Sequence, residues 1–261
     1  MRSDKLSALR SLYEDNMCLI LFAIQPGELI PTGSTYRLVV AANRDEFYAR
    51  PSRTASFWPE DDNILGGQDL SMGGTWLGIT RTGRFAAVTN YRETPPHPVP
   101  PRSRGDLTAG FLSTDVPAKQ YLQDIRSRGD QYRGFNLLLG DAEGFYYLSN
   151  RQADVIKLEP GFYGLSNQLL NCDWPKVVTG RHNLRSLIEQ QDASVASLLN
   201  LLSGQGDGSA FSNSFIESTE YGTCAQTVVL WQADGNVTFA EQCFQPNGVT
   251  FEPAQYQFQV S

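Results

Sequence analysis

Short apolar runs, broken by Gly, Pro, Asn and Asp, predict a chain made largely of β-strands. Strands are predicted at 18–23, 37–42, 76–79, 85–89, 135–139, 144–149, 162–165, 227–231 and 237–239. Thr82-Gly83 and Asp234-Gly235 each separate two of these strands and are typical of hairpin turns. Gly66-Gly67 and Gly73-Gly74 either form further turns, the interpretation we favour, or let the backbone approach a ligand.

Helical spacing of apolar residues predicts two pairs of helices between the strands, at 103–112, 117–126, 175–189 and 193–202. Ser103 resembles the start of a capping box, and Asp192 is the expected N-cap of the fourth helix. The proline-rich stretch 95–101 is predicted to be a stiff connector, and 204–214 a loop. This order favours a layered α/β arrangement of antiparallel sheets over βαβ repeats.

The 261 residues, 41% of them hydrophobic, suit a single globular domain, which we place at 17–261. Residues 1–16 are charged and precede the first strand. They form either an appended segment, such as an upstream start or a removable leader, or a short amphipathic helix that packs on the body.

Charge and cysteine content exclude several classes of function. A net charge of −7 argues against affinity for nucleic acid or anionic membranes. The longest apolar run, 17–24, is far shorter than the roughly 20 residues that span a bilayer. It also lacks the small-residue cleavage site of a secretory signal. Four cysteines without a C-x-x-C pair, and no metal or nucleotide motif, predict no cofactor and a cytoplasmic location.

Cys18 is the first candidate for chemistry. If Met17 is the initiator and is removed, Cys18 carries both a thiol and a free α-amine. The reference pKa values of these groups, about 8.5 and about 8, make each a usable partner for the other. The alternative is a cysteine that simply packs in the core, as most free cysteines do.

The tetrad Asn43-Arg44-Asp45-Glu46 follows the apolar residues of the second strand. Placed beyond the end of that strand, its side chains could reach back toward Cys18. Arg44 would then lower the pKa of the thiol, and Asp45 would accept a hydrogen bond from the amine. The alternative is a solvated turn with an internal Arg–Asp pair.

Eight ordered motifs resemble the NRDE family, also called the transport and Golgi organisation type-two family. They are Met17-Cys18-Leu19-Ile20, Asn43-Arg44-Asp45-Glu46, Gly73-Gly74-Thr75-Trp76-Leu77-Gly78, Thr89-Asn90-Tyr91-Arg92, Arg104-Gly105, Leu165-Ser166-Asn167, Trp174-Pro175-Lys176 and Tyr221-Gly222-Thr223. That family is similar to N-terminal nucleophile hydrolases of the penicillin V acylase and bile-salt hydrolase kind. The resemblance implies a four-layer αββα sandwich of two mainly antiparallel sheets flanked by helices.

The resemblance also implies roles for individual residues. Cys18 is the expected nucleophile, Arg44 and Asp45 orient it, and Asn90 or Tyr91 with Asn167 supplies oxyanion donors. The expected substrate contacts are Asn43, Glu46, Gly74, Thr75 and Trp76. From sequence alone, Asn90 and Asn167 are equally typical of turns that follow strands.

Three features depart from the family pattern: Cys224 stands where members often have arginine, Cys172 precedes Asp173, and residues 1–16 would block the amine of Cys18. Two functions are consistent with the resemblance. The first is a thiol-dependent amidase or acyl-transfer enzyme acting on a small amide or thioester. The second is a carrier of haem, acyl-coenzyme A or lipid, for which Cys172, His182 and His97 are the available haem ligands besides Cys18.

Overall fold

The computed structural model describes residues 18–29, 35–93, 102–248, 250–251 and 253–260. The predictions for residues 1–17, for the proline-rich connector and for His97 lie outside these ranges. Among the described residues, no helix is long and apolar enough to cross a membrane.

Thirteen strands form two antiparallel sheets in the described part of the chain. The six-stranded sheet has the order β10-β1-β2-β11-β12-β13, and the seven-stranded sheet runs from β3 to β9 in sequence order. The strands are β1 Leu19–Ile24, β2 Tyr36–Phe47, β3 Ser52–Trp58, β4 Asp61–Asp69, β5 Leu77–Thr80, β6 Phe85–Asn90, β7 Phe135–Asp141, β8 Gly144–Ser149, β9 Ile156–Leu158, β10 Gly161–Leu165, β11 Tyr221–Gln232, β12 Asn236–Cys243 and β13 Ala254–Gln259.

Helices cover the outer face of each sheet. Helices α1 (Gly105–Leu112) and α2 (Ala118–Ser127) pack on the seven-stranded sheet. Helices α3 (Pro175–Glu189) and α4 (Val195–Leu202) pack on the six-stranded sheet. A third apolar cluster fills the space between the two sheets. The predicted αββα sandwich is therefore confirmed.

Alternation along the central strands divides their side chains between two cores. In β1, Ile20 and Phe22 face the other sheet, whereas Leu19 and Leu21 face α3 and α4. In β2, even-numbered residues such as Val40 likewise face the other sheet. This alternation decides where each polar residue at the end of these strands points.

The tetrad Asn43–Glu46 was predicted to follow β2, but it lies within that strand. Strand β2 is central in its sheet, and its ladder with β11 continues to the pair formed by Phe47 and Tyr221. The polar side chains are therefore covered from both sides, and Asn43 and Asp45 are each 2% exposed. The solvated-turn alternative is excluded.

Three smaller predictions also need correction. Gly66-Gly67 lies inside β4 and is not a turn. Helix α4 is capped by Ser194, whose hydroxyl accepts from the backbone N–H of Ser197, and not by Asp192. Helix α1 begins at Gly105, and the Ser103 hydroxyl accepts from the N–H of Gly105 in place of a capping box. The predicted turns at Gly73-Gly74, Thr82-Gly83 and Asp234-Gly235 are confirmed, and Gly73, Gly74, Gly83 and Gly235 all have positive φ.

Candidate active site

Cys18 lies directly before β1, at the end of the six-stranded sheet. The register pairs Leu19 with Asn43, so Cys18 continues the ladder beside Arg44. The Ser166 hydroxyl holds the carbonyl of Cys18 at 2.6 Å, and the Cys18 thiol donates to the carbonyl of Asp45 over 3.8 Å. Cys18 is thus held at the edge of a cleft, and the residue as a whole is half-buried.

The cleft has a volume of about 300 Å³ and opens between the ends of the two sheets. Its walls come from β2, the turn before β5, the end of β6 and the segment leading into α1. It is lined by Cys18, Arg44, Asp45, Glu46, Arg50, Asp69, Met72, Thr75, Trp76, Val88, Asn90, Arg102, Ser103, Arg104, Gly105 and Arg133. This volume is at the lower end of the range for small-molecule sites.

Arg44 stacks on Trp76, with its guanidinium carbon 4.4 Å from the ring centre. Trp76 can reach this position because Gly67 has no side chain: a Cβ there would lie 2.3 Å from the indole ring. The indole N–H of Trp76 is buried and has no hydrogen-bond partner among the described residues. A cation and an aromatic face therefore form the wall beside Cys18.

Asp45 points away from the cleft core, toward α3. Its Oδ1 accepts from the Thr223 hydroxyl at 2.7 Å, whereas its Oδ2 has no hydrogen-bond partner in the described part of the chain. Burial raises the pKa of Asp45 to about 6, against the opposing effects of the Lys176 ammonium, the Thr223 hydrogen bond and Arg44. Lys176 is itself 2% exposed, and burial lowers its pKa.

Burial also raises the pKa of the Cys18 thiol, to about 12, and the Asp45 carboxylate adds to the increase. Arg44 acts in the opposite direction. In the full-length chain, the nitrogen of Cys18 is a peptide nitrogen and cannot act as a base. Because the pKa of the thiol is about 12, the thiol of that chain is protonated at neutral pH.

The three predicted oxyanion residues occupy different positions. Asn90 is one of the residues that line the cleft. The Asn167 side chain is buried, and its amide donates to the carbonyl of Asn90 at 3.0 Å. Tyr91 is not among the residues that line the cleft, and its N–H donates to the carbonyl of Gly134.

The predicted substrate contacts are also divided. Glu46 and Trp76 border the cleft. Thr75 does too, but its hydroxyl donates to the carbonyl of Leu77 at 2.9 Å. Gly74 packs so closely on Gly105 that an added Cβ would lie 2.4 Å from the Gly105 backbone.

Asn43 faces the helices and not the main cleft. Its amide donates to the carbonyls of Leu202, at the end of α4, and Ser214, at 2.9 and 2.6 Å. It also touches a small space of about 20 Å³ next to Cys18. In this arrangement Asn43 ties the loop after α4 to the strand that carries Arg44.

Four residues at or near the site were not among the predicted site residues: Arg102, Arg104, Arg133 and Asn136. Asn136 is fully buried on β7, and its amide donates to the carbonyls of Ser166 and Gln168. The signal for Asn136 was a single amide inside an apolar strand. Arg104 belonged to a quoted motif, but nothing in the sequence indicated that Arg133 would lie across from it.

The two cysteines that depart from the family pattern differ in their position relative to the site. Cys224 is the extra residue of a β-bulge between Thr223 and Ala225, and its thiol donates to the carbonyl of Glu46 at 3.4 Å. Burial raises the pKa of Cys224 to about 11. Cys172 is half-buried and is not among the residues lining the cleft.

The haem ligands considered from the sequence do not converge in the structure. His182 is exposed on α3, Cys172 lies outside the cleft lining, and His97 lies outside the described residues. Within the described ranges, no group of three or more His, Cys, Asp or Glu side chains is placed to hold a metal ion.

Comparison with known proteins decides the family. The model of the Transport and Golgi organisation 2 family matches residues 17–246. The chain belongs to this family. Among Transport and Golgi organisation 2 proteins, the human homologue is 37% identical over 275 residues, covering 93% of this chain and 99% of its own. The Drosophila melanogaster protein is 27% identical and covers 87% of this chain and 92% of its own.

Solved structures were compared with this Transport and Golgi organisation 2 chain for the fold alone. A Caenorhabditis elegans orthologue of N-acylethanolamine-hydrolyzing acid amidase superposes with a TM-score of 0.51 at 11% identity, over 82% of this chain and 92% of that one. A conjugated bile acid hydrolase variant from Clostridium perfringens gives a TM-score of 0.47 at 8% identity, over 94% and 98% of the two chains. The amidase orthologue shares the sandwich fold of this chain, which is the fold that the sequence motifs implied.

Proposed function

We propose that this protein is a cysteine N-terminal nucleophile enzyme that cleaves a small amide or thioester. The observation that carries the proposal is the position of Cys18 at the head of β1, beside Arg44 and inside the cleft. A cysteine at the start of this strand, on the lining of a cleft between two sheets, is in position to meet a bound carbonyl group. The fold alone does not establish the activity.

The chemistry needs a free amine on Cys18. In the mature chain, the thiol loses its proton to the α-amine and the sulfur attacks the carbonyl carbon of the substrate. The amine then passes the proton to the leaving nitrogen or sulfur, and the acyl group stays on Cys18. Water attacks the thioester, which releases a carboxylic acid and restores the thiol.

Arg44 and Asp45 act on these two groups. The Arg44 guanidinium favours the thiolate, because a nearby positive charge stabilises the anion. Asp45 has one carboxylate oxygen without a hydrogen-bond partner among the described residues, and we assign it to the ammonium of the mature chain. That contact would hold the amine on the side from which it takes the thiol proton.

Asn90 is the proposed oxyanion donor. Asn90 lines the cleft, and Asn167 fixes its backbone through the 3.0 Å hydrogen bond. Asn167 is therefore a positioning residue in this proposal. Loss of one oxyanion donor typically costs about 3 kcal/mol of transition-state stabilisation, so Asn90→Ala should lower kcat by roughly 10²-fold.

The test begins with the intact mass of protein made in its native host, which shows whether Cys18 is the first residue. Hydrolysis is then followed with two probes, an N-acyl aminomethylcoumarin amide and an acyl N-acetylcysteamine thioester. Cys18→Ala should lower turnover by roughly 10³-fold or more, because no other thiol replaces the nucleophile. Wild-type protein should carry an acyl adduct on Cys18.

Cys172→Ser is the matched control, since this half-buried cysteine lies outside the cleft lining. It should hydrolyse both probes at the wild-type rate. Undiminished turnover by Cys18→Ala would reject the assignment.

All four cysteines are free thiols, which suits a reducing compartment such as the cytosol, and we include that location in the proposal.

A further inference from the structure

One wall of the cleft carries three arginines from separate parts of the chain. Arg102 and Arg104 lie just before α1, and Arg133 lies just before β7. All three line the cavity that contains Cys18. We call these three residues the arginine wall.

Another part of the cleft lining carries charges of both signs. Arg50 pairs with Asp69 at 2.6 Å and lies 3.8 Å from Glu46. One guanidinium is thus shared by these two carboxylates.

The charge of the arginine wall is only partly compensated. Glu93 is shared by Arg133, at 3.9 Å, and Arg151. Asp106 is the carboxylate near Arg102, which also donates to the Tyr132 hydroxyl at 3.3 Å. In the described part of the chain, no carboxylate oxygen lies within 4.0 Å of Arg104. Arg104 instead donates to the carbonyl of Gly134 at 3.1 Å, which fixes its side chain in the wall.

Arg104 and Arg133 repel each other. Burial, and secondarily the charge of Arg133, lowers the pKa of Arg104 to about 10, while Cys18 and Glu46 oppose this change. Two like charges held together in a half-enclosed cleft are stabilised by an anion placed between them. Guanidinium groups bind carboxylates and phosphates through paired hydrogen bonds.

Helix α1 adds to the same field. Ser103 and Gly105, at its N-terminus, line the cleft with the arginines. The positive end of the helix dipole therefore lies on this wall, and Asp106 in the first turn of α1 offsets part of its field. Three cations and a helix terminus converge on a space of about 300 Å³.

We propose that the arginine wall binds an anionic group of the substrate, a carboxylate or a phosphate, close to the bond that Cys18 cleaves. This inference rests on the proposed function, because it names the class of substrate for that site. The substrate would be a small amide or thioester with a negative charge near its carbonyl group. Neutral analogues would bind more weakly.

The test compares two reagents that alkylate the same sulfur. Iodoacetate is an anion and iodoacetamide is neutral, and each leaves a different mass on the Cys18 peptide. The full-length chain is treated with both together at pH 8.5, and the ratio of the two products is measured by mass spectrometry. Any change in the reactivity of the thiolate affects both reagents equally and leaves the ratio unchanged.

Arg104→Gln and Arg133→Gln should each lower the iodoacetate-to-iodoacetamide ratio, and the double variant should lower it roughly tenfold. Arg104→Lys keeps the charge and should retain most of the wild-type ratio. Arg185→Gln is the matched control, because it removes a cation on α3 that pairs with Glu189 and does not line the cleft. Its ratio should equal that of wild type.

A ratio that stays within about twofold of wild type in both glutamine variants would overturn the inference, since a local positive field must discriminate between these reagents. If Arg104→Gln does not fold, Arg133→Gln decides alone. The ratio does not depend on hydrolysis. A failure of the proposed enzyme activity is therefore distinguishable from a failure of the anion site.

A second measurement identifies the anion. Inorganic phosphate and acetate are compared, at equal ionic strength, for protection of Cys18 from iodoacetamide. Stronger protection by phosphate supports a phosphorylated substrate, and stronger protection by acetate supports a carboxylic acid. Protection by either anion should disappear in the variant that combines Arg104→Gln and Arg133→Gln.

Discussion

Asp45 is ionisable, buried and within reach of two cations. Its pKa of about 6 means that the folded protein resists its ionisation, mainly because burial removes the carboxylate from water. The Thr223 hydroxyl and Lys176 offset part of that penalty. A free ammonium on Cys18 would offset more of it.

This environment predicts how stability depends on pH. Between about pH 4 and pH 6, the unfolded chain ionises Asp45 while the folded chain keeps it protonated, so the folded state loses stability as pH rises. Above pH 6 the loss is complete and amounts to about 3 kcal/mol. The substitution Asp45→Asn removes this pH-dependent loss of stability, because asparagine does not ionise. The free energy of unfolding of the variant, relative to wild type, should therefore rise by that amount from pH 4 to pH 7 in urea titrations.

Asp69→Asn provides a control of opposite sign. Hydrogen bonds from Arg50 and from the N–H groups of Met72 and Ser71 lower the pKa of Asp69, although burial alone would raise it. Wild type should therefore gain stability over Asp69→Asn as pH rises through the acid range. A stability difference between Asp45→Asn and wild type that is flat from pH 4 to pH 7 would contradict the assigned pKa.

At the scale of elements, a glycine inside β4 positions the wall of the cleft. Gly67 leaves room for the Trp76 ring, and Trp76 in turn stacks on Arg44. A strand glycine normally weakens a sheet, because it adds flexibility and no packing. Here the aromatic ring of Trp76, from the neighbouring turn, fills the space that a side chain at position 67 would take.

Gly67→Ala should displace Trp76 and cost about 1–3 kcal/mol of stability, the usual penalty for overpacking. Arg44 would lose its aromatic partner in the same step. Urea midpoints measure the loss, and Trp fluorescence reports the displaced ring.

Gly204→Ala is the matched control, because its Cβ would come no closer than 3.7 Å to any atom. Its free energy of unfolding should stay within about 0.5 kcal/mol of wild type, as for most surface substitutions. Equal midpoints for the two alanine variants would show that Trp76 adapts freely.

Much of this arrangement could be predicted from local sequence. The pairing of two apolar strands was enough to bring Cys18 near Arg44. The turn interpretation of Gly66-Gly67 failed because the atoms that need the space belong to Trp76, which meets β4 only in the folded sheet. Strand β13, whose Ala-Gln-Tyr-Gln-Phe-Gln sequence alternates with period two, had a usable signal that we did not interpret.

The arginine wall could not be predicted in the same way. Arg104 precedes a helix and Arg133 precedes a strand, and only the packing of α1 on the seven-stranded sheet brings them together. The direction of the Asn43 side chain could not be predicted for a similar reason. Alternation in β2 turns it toward α4, and the extent of that strand was underestimated.

For the whole molecule, the state of the chain before Cys18 controls the reactivity of the site. With a peptide nitrogen at Cys18 and a thiol pKa of about 12, the thiolate fraction at pH 7.5 is very small. Expression from Met17, followed by methionine removal, would place an ammonium group on the same residue. That charge should lower the thiol pKa by at least one unit and speed alkylation of Cys18 by iodoacetamide roughly tenfold or more.

Peptide-resolved mass spectrometry of full-length and shortened chains measures this difference. Cys172 is an internal control, because it lies outside the cleft lining and should react equally in both chains. Equal rates at Cys18 would mean that the ammonium does not reach the thiol, and would remove the amine from the mechanism.

The bulge at Cys224 has a consequence for how the site can change over evolutionary time. Thr223 pairs with Asp45 and Ala225 pairs with the next residue of β2, Arg44, so Cys224 is one extra residue in β11. Deleting that residue would shift β11 by one position and exchange its inward and outward side chains. We therefore expect the number of residues between Tyr221 and Val228 to be constrained more tightly than the identity of residue 224.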